Sequence, residues 1–397
     1  MKAISRRSGK IAANTAYTIA GALVLNGVLQ LFVYPRAARY LGTAAYGDLL
    51  YVMAYVNILG PSVGQALNNS RLVMRRGRDV SNGDYNIMIL LFSAAGIAVS
   101  LFLARAQTGG AAAGLLFAAL ILLTNFRYYG DVEYRLSLDY RRYFFYYTIC
   151  GAGYAAGFLF YRLTGNWYLI FLAGEAAAFL WIFFTGGIYK GFFVRSPYFS
   201  EALRKGGLLV LSYFVTNLTL NIDRLFLKHA VGEEAVAVYY VLSLIGKTLV
   251  LFVAPVNTIV ISYLTKENTK VTKKRFLQFA GAGMGAAALF FVFCQIATPL
   301  YIRLFYPQLL EETAGLVTVV NATQILAMLS AYLFIIALTF SGAKWQLLLQ
   351  TAHLAVLSAM IVPMSQGGSL RGFAAAVLIA NAARIAAVLV LGAVKAE

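Results

Sequence analysis

The chain has 397 residues, of which 61% are hydrophobic and only 12% are charged, with a formal net charge of +18. A soluble globular chain carries roughly 25% charged residues, so this composition excludes an ordinary water-soluble domain. In a soluble protein such a positive charge would point to nucleic acid. Lys and Arg also accumulate in the cytoplasmic loops of membrane proteins, and we therefore expect no nucleic-acid partner.

Long apolar runs recur along the whole chain. Such a run spans a bilayer as a helix when it has about 18 or more residues, and the absence of strand-length alternation argues against a barrel. We predict an all-α integral membrane protein with about twelve transmembrane helices. The spans are expected near 12–34, 48–67, 85–104, 112–128, 143–161, 167–187, 205–227, 236–262, 276–299, 313–338, 345–364 and 372–393. The first is too long and too polar for a cleaved signal peptide, so we expect it to be retained.

The positive residues are concentrated in every second loop between these spans. Such asymmetry sets orientation, because loops rich in Lys and Arg stay in the cytoplasm. The pattern predicts an even number of spans with both termini cytoplasmic. We expect a multi-pass protein of a bacterial inner (plasma) membrane.

A weak internal repeat divides the chain. Residues 41–47 follow the first span and residues 231–237 follow the seventh, and each copy has an apolar residue, a glycine and a short turn. Six spans between the copies imply two parallel six-helix lobes. We predict an N-terminal lobe at 1–190, a cytoplasmic linker at 191–204 and a C-terminal lobe at 205–397.

Ionisable residues inside the predicted spans are candidates for function, because a charge at this depth is costly. They are Glu175, Asp223, Arg224, Lys247 and Arg384. The alternative is a structural ion pair, for example Glu175 with Lys247 or Arg384. Under either interpretation these charges should face the protein interior or a wet cavity.

Polar side chains form stripes on several spans. They are Asn26 and Gln30 on the first span, Asn57, Gln65 and Asn68 on the second, Asn217 and Asn221 on the seventh, and Asn381 on the twelfth. A polar stripe in a membrane helix faces a water-filled path or a partner helix. Hydrogen bonding between helices alone is the open alternative.

No catalytic or metal-binding pattern is visible. Cys150 and Cys294 lie in apolar runs, and His229 and His353 are far apart without metal-ligand spacing. We therefore expect neither an enzyme nor a cofactor.

Two segments resemble a known family. Residues 38–47 are similar to the first-helix signature of Wzx-like polysaccharide (O-antigen) flippases, and Asn221-Ile222-Asp223-Arg224 followed by Val231-Gly232 is similar to their seventh-span signature. The superfamily also contains the multidrug and toxin extrusion (MATE) transporters. Thr43 departs from the pattern, since a proline often follows the Leu-Gly pair.

The resemblance implies a MATE/Wzx-like fold with two lobes around a cation-rich cavity. It implies a flippase that moves an oligosaccharide linked to polyprenyl pyrophosphate to the outer leaflet for polysaccharide or lipopolysaccharide biosynthesis. Asn221, Asp223 and Arg224 would line the cavity of the C-terminal lobe or form its outer gate. Membrane lipids and other polysaccharide-assembly membrane proteins are the implied partners.

This function assigns roles to the candidate residues. We expect the cations to bind the pyrophosphate and the polar stripes to bind sugar hydroxyls. If H⁺ or Na⁺ drives transport, Glu175 or Asp223 is the expected carrier. The cations in question are Lys247, Arg384, Arg71, Arg224 and Arg39.

Two alternatives stay open. A multidrug antiporter of the same fold would bind organic cations, but cations outnumber acids within the spans, which favours an anionic substrate. A membrane glycan polymerase or ligase usually needs a large outer loop, and the predicted outer loops are short.

Overall fold

The computed structural model describes residues 2–75, 77–106, 108–250, 272–341, 344–365 and 368–395. The residues in these ranges are 88% helical, and they contain no strand. The predicted all-α membrane class is confirmed.

The first half of the chain forms helices α1 to α9. The first two spans each contain a π-helical turn, at Val28–Val33 and Gly60–Gln65, where the polar or proline-containing sequence interrupts regular bonding. The helices are α1 Lys2–Gly27, α2 Tyr34–Leu41, α3 Thr43–Leu59, α4 Ala66–Met74, α5 Asn82–Leu103, α6 Ala111–Gly130, α7 Val132–Ser137, α8 Tyr140–Thr164 and α9 Tyr168–Thr185.

The second half continues with longer helices. They are α10 Phe199–Ala230, α11 Glu233–Val250, α12 Lys273–Phe305, α13 Leu310–Thr313, α14 Val317–Ser341, α15 Lys344–Met364 and α16 Leu370–Lys395. A 3₁₀ turn, Pro307–Leu309, precedes α13.

Seven helical segments of the described chain are long and apolar enough to cross a membrane: Ala13–Leu41, Asn82–Leu103, Ala111–Ser137, Tyr168–Thr185, Lys273–Phe305, Val317–Phe334 and Leu370–Lys395. The protein is therefore a multi-pass membrane protein. Every predicted span overlaps a described helix, although the end of the eighth, 251–262, lies outside the described residues. The count of twelve spans stays a prediction.

The chain forms two compact units. The N-terminal unit contains Met1–Gly42 and Asp48–Asp223, and the C-terminal unit contains Thr43–Gly47 and Arg224–Glu397. The units therefore divide inside α10, whereas the predicted lobes are separated at 191–204. The lobe boundaries derive from the sequence repeat and stay a prediction.

Both copies of the repeat form the same kind of turn. Gly42 and Gly232 have φ of 77° and 126°, a region that side chains rarely adopt. In the C-terminal unit Gly47 lies against the backbone of Glu233, with no room for a Cβ between them. Tyr46 packs edge-on against Tyr240 at 6.5 Å between ring centroids. Glycines at these positions are thus required by geometry.

Within the N-terminal unit, the segment 186–197 is hydrogen-bonded to the start of α5. Asn82 donates to the carbonyls of Gly187 and Lys190 at 2.9 and 3.0 Å. The Asp84 carboxylate accepts from the backbone and hydroxyl of Ser196 at 2.8 and 2.6 Å. Part of the predicted linker is therefore attached to the start of α5.

Close packing of α8 against α9 depends on small residues. A Cβ at Gly157 would lie 2.5 Å from the carbonyl oxygen of Ile170, and a Cβ at Gly153 would lie 2.7 Å from the Cα of Gly174. At Gly174 the missing side chain leaves room for the Tyr154 ring. The two helix backbones thus come into near contact, as is common in membranes.

We predict that Gly157→Ala destabilises the protein by about 1–3 kcal/mol, because the backbone of α9 must move to admit the methyl group. Thermal unfolding in detergent measures the effect. Gly281→Ala is the matched control, since a Cβ there meets nothing within 4 Å. Equal unfolding temperatures for the two variants would contradict the packing.

Candidate functional site

The N-terminal unit contains a buried ion pair. Arg127 Nε of α6 lies 2.7 Å from Glu175 Oε2 of α9, and the two side chains are 7% and 3% exposed. Tyr154 of α8 donates its hydroxyl to the other oxygen of Glu175 at 2.6 Å. Both carboxylate oxygens are therefore occupied.

This pair corrects the expected partners of Glu175. The sequence suggested Lys247 or Arg384, but Arg127 is the residue that neutralises it. Arg127 lies near the end of the predicted span 112–128, and it was not among the charges that the sequence singled out. In the structure it is 6% exposed, and the carbonyl of the same residue accepts from Tyr146 at 2.9 Å.

A second buried network surrounds Asp131, at the end of α6. The carboxylate of Asp131 accepts from Asn68 of α4 and, at 2.8 Å, from the Tyr147 hydroxyl of α8. Arg135 lies 3.0 Å from it, one helical turn further on. Asp131 is fully buried, and its charge is compensated within the unit. The sequence had singled out Asn68 alone among these residues.

Arg71 is buried in the same end of the N-terminal unit. Its guanidinium donates to the Tyr129 hydroxyl and to the side-chain oxygen of Asn82, and it lies 5.7 Å from the Tyr85 ring. It is only 7% exposed. Arg71 therefore acts here as a connector between α4, α5 and α6.

The remaining predicted polar residues of this unit differ in exposure. Asn26 is exposed and donates to the Ala22 carbonyl of its own helix at 2.9 Å. Arg39 is exposed at the end of α2. Gln30, Asn57, Gln65, Asn217 and Asp223 are half-buried, and Asn221 is buried.

Two of these residues continue a stripe along α10. Asn217 donates to the Tyr213 carbonyl at 2.8 Å and lies 3.4 Å from the Ser62 hydroxyl. Asn221 donates to the Asn217 carbonyl at 2.9 Å. These amides donate mainly to carbonyls of their own helix, whereas the sequence alternative was hydrogen bonding between helices. The role of this stripe stays a prediction.

The C-terminal unit has a different charge arrangement. Arg224 of α10 is 8% exposed, yet its Nε and Nη1 have no hydrogen-bond partner among the described residues. Its guanidinium lies over the Tyr240 ring of α11, 4.7 Å from the centroid. An aromatic face offsets only part of the cost of burying a cation.

Arg384 of α16 is a second cation of this unit with a guanidinium nitrogen that lacks a hydrogen-bond partner in the described chain. It is half-buried, its guanidinium lies 5.5 Å from the centroid of Phe334, and its Nε has no partner in the described part of the chain. Asn381, one turn earlier, donates to the Thr323 carbonyl at 3.0 Å. Lys247 of α11 is half-buried.

Three carboxylates near helix ends, outside the predicted spans, have shifted pKa values. Hydrogen bonds from Lys205 and then Arg78 lower the pKa of Glu201, and a hydrogen bond from Lys228 lowers the pKa of Glu233. Burial and then the nearby Glu234 raise the pKa of Glu312. The pairs of Glu201 and Glu233 therefore persist as the pH falls into the ordinary carboxyl range, but such surface pairs contribute little stability.

The described residues contain no group of three or more His, Cys, Asp or Glu that could hold a metal. The fully buried carboxylates in these ranges, Asp84, Asp131 and Glu175, all belong to the N-terminal unit and all accept hydrogen bonds. The buried guanidinium nitrogens without a hydrogen-bond partner in the described chain belong to Arg224 and Arg384 of the C-terminal unit. Such an arrangement can attract an anion.

No protein-family model matches the chain, and no curated protein matches its sequence. Among solved structures, an inward-facing multidrug resistance MATE family transporter of the MOP superfamily has a TM-score of 0.65 at 16% identity, covering 94% of each chain. The lipid II flippase MurJ in an inward closed conformation has a TM-score of 0.64 at 15% identity, covering 95% of this chain and 87% of that chain.

A third similar structure is a MOP superfamily transporter from Pyrococcus furiosus, reported for the reverse polarity of its binding pocket. It has a TM-score of 0.56 at 16% identity, covering 97% of this chain and 92% of that chain. The chain therefore has the fold of MATE and other MOP superfamily transporters. The Wzx-like family stays a prediction.

We predict that Glu175→Gln lowers stability by about 3–5 kcal/mol, because it leaves the Arg127 guanidinium buried without its counter-charge. Unfolding in detergent measures the loss. The double variant Arg127→Gln with Glu175→Gln should recover part of it, since no lone charge remains. Glu201→Gln, which breaks only the surface pairs with Arg78 and Lys205, is the control and should change little. If the double variant is no more stable than Glu175→Gln, the uncompensated charge of Arg127 is not the cause of the loss.

Proposed function

We propose that this protein flips an oligosaccharide linked to polyprenyl pyrophosphate from the cytoplasmic to the outer leaflet of a bacterial inner membrane. The observation that carries the proposal is that buried guanidinium nitrogens lack acceptors among the described residues, namely Nε and Nη1 of Arg224 and Nε of the half-buried Arg384. A pyrophosphate supplies such acceptors together with the missing negative charge.

The fold supports a lipid-linked substrate. One similar structure is a lipid II flippase and others are multidrug transporters. The physical problem of such a substrate is its charged head, because an isolated charge in hydrocarbon costs many kcal/mol. Two lobes that expose a wet, positive cavity first inward and then outward would solve it, while the lipid tail stays in the bilayer.

Lys247, Arg71 and Arg39 complete the proposed set of cations. Arg71 already donates to Tyr129 and Asn82, so a pyrophosphate there would have to compete with these contacts. Arg39 is exposed at a helix end, where electrostatic attraction of the substrate is its more suitable role. Lys247, Arg224 and Arg384 are therefore the principal cations of the proposal.

The driving force has two candidate sources. A membrane potential negative inside favours outward movement of an anion by about 2.3 kcal/mol per charge per 100 mV. H⁺ or Na⁺ coupling is the other. Because both oxygens of Glu175 are occupied by Arg127 and Tyr154, we assign no carrier role to Glu175. Asp223 remains the candidate carrier.

A multidrug antiporter is the second candidate function, favoured by the likeness to MATE transporters. An organic cation would need a carboxylate to receive it. The fully buried carboxylates of the described chain are already hydrogen-bonded, as shown above. The charge arrangement thus favours an anionic substrate over a cationic drug.

We predict that Arg224→Ala, Lys247→Ala and Arg384→Ala each lower glycan export by about 10- to 100-fold, since a hydrogen bond to a charged group contributes about 1.5–3 kcal/mol. Export is measured by complementation of a strain that lacks the gene, with the amount of membrane protein quantified. Arg105→Ala, an exposed cation, is the matched control.

Full export by the double variant Lys247→Ala with Arg384→Ala would eliminate the proposed cationic site. Increased drug susceptibility of the deletion strain with unchanged glycan would favour the antiporter instead. Direct flipping of a polyprenyl-pyrophosphate oligosaccharide in vesicles containing the purified protein separates transport from any effect on assembly partners.

A further inference from the structure

Besides the two nitrogens of Arg224, three buried polar atoms of the C-terminal unit lack partners in the described chain: Ser330 Oγ of α14, His353 Nδ1 of α15 and Arg384 Nε of α16. Ser330 is fully buried and His353 is 8% exposed. Leaving a buried polar group without a hydrogen-bond partner destabilises the folded protein. A cluster of such atoms usually marks a bound water or ion.

The three atoms belong to helices that pack together. His353 hydrogen-bonds the backbone carbonyl of Ala380 and lies close to Arg384, one turn further along α16. The Arg384 guanidinium lies 5.5 Å from the centroid of Phe334. Ser330 precedes Phe334 by one helical turn on the same face of α14. Three helices therefore contribute one polar atom each to one region.

The hydrogen bond to Ala380 determines the state of the imidazole. Because Nδ1 has no partner, Nε2 is the nitrogen that donates to the carbonyl. In a neutral ring Nδ1 then has no proton and is an acceptor. A second proton would place an imidazolium beside the Arg384 guanidinium. That arrangement is unfavourable unless a negative charge lies between them.

No acidic residue of the packed helices supplies that charge. α14 contains no Asp, Glu, Lys, Arg or His. On α16 Arg371 and Lys395 lie near the two ends and Arg384 lies between them, and α15 has Lys344 at its first position as its other charged residue. The charged groups around His353 on these helices are thus all positive.

We propose that Ser330, His353 and Arg384 form a binding site for a phosphate-type anion, and that the anion binds together with a proton on His353. The choice of phosphate rests on the proposed function. When the anion binds, Arg384 Nε, protonated His353 Nδ1 and the Ser330 hydroxyl each donate to its oxygens. No covalent bond changes; one proton moves from solvent to the imidazole.

The chain offers a clean probe, because it has only two histidines. In His229→Gln the single remaining imidazole is that of His353. The protein with ¹⁵N-labelled histidine, in lipid nanodiscs near the ordinary histidine midpoint of about pH 6.5, reports the protonation state by NMR. We expect the neutral ring with its proton on Nε2 in the absence of anion. We expect the imidazolium after addition of inorganic pyrophosphate or a short-chain polyprenyl pyrophosphate.

Arg384→Gln should abolish the response to either anion, and Arg371→Gln near the end of the same helix should retain it. If Arg384→Gln does not fold, Ser330→Ala is the variant to test. It removes one donor to the anion, and we expect it to weaken the response. A neutral ring under every anion condition would overturn the proposal, because a water molecule would then explain the unpartnered atoms. A response that survives Arg384→Gln would also overturn it.

The two sources of phosphate are distinguished by the two probes. A response to the lipid-linked pyrophosphate supports the site as part of the proposed transport path. A response to inorganic pyrophosphate alone supports the anion site but separates it from the lipid substrate. Because the NMR measurement requires no transport, it can succeed even if the export experiments refute the flippase.

Discussion

A charge held away from water must find a counter-charge or a set of donors and acceptors, and the two units meet this constraint differently. In the N-terminal unit Arg127 neutralises Glu175, and Asp131 receives Arg135 and Tyr147. In the C-terminal unit Arg224 and Arg384 keep unpartnered N–H groups within the described chain. The buried carboxylates of the first unit thus all receive donors, whereas guanidinium nitrogens of the second have no acceptor in the described chain, which is the basis of the proposed anion site.

Most of the fold follows from the sequence, because a bilayer allows an apolar run of sufficient length only one regular conformation. The positions of α5, α9 and α16 could be predicted for this reason. The turn glycines of the repeat were also visible, since Gly42 and Gly232 occupy equivalent positions. Helix lengths were less predictable. Helices α10 and α12 are longer than the hydrocarbon core is thick and extend past the predicted spans 205–227 and 276–299. Composition alone does not indicate where such a helix ends.

The partners of buried charges could not be predicted, because they depend on how helices pack. Glu175 was recognised as a buried acid, but its partner Arg127 lies 48 residues away and at the margin of an apolar run. The pairing depends on the packing of α6, α8 and α9, in which small residues allow α8 and α9 to approach closely. This packing is not visible in the sequence of any one helix. His353 was considered only as a metal ligand. Its position next to Arg384 arises from the contact between α15 and α16 and leaves no pattern in either segment.

The division of the chain inside α10 has a consequence for how the molecule is built. The N-terminal unit is completed only by residues 199–223, and the C-terminal unit includes the five residues 43–47 from the opposite half. Cutting the gene at the midpoint would therefore not yield two self-sufficient proteins. Each fragment would lack a piece that the other retains.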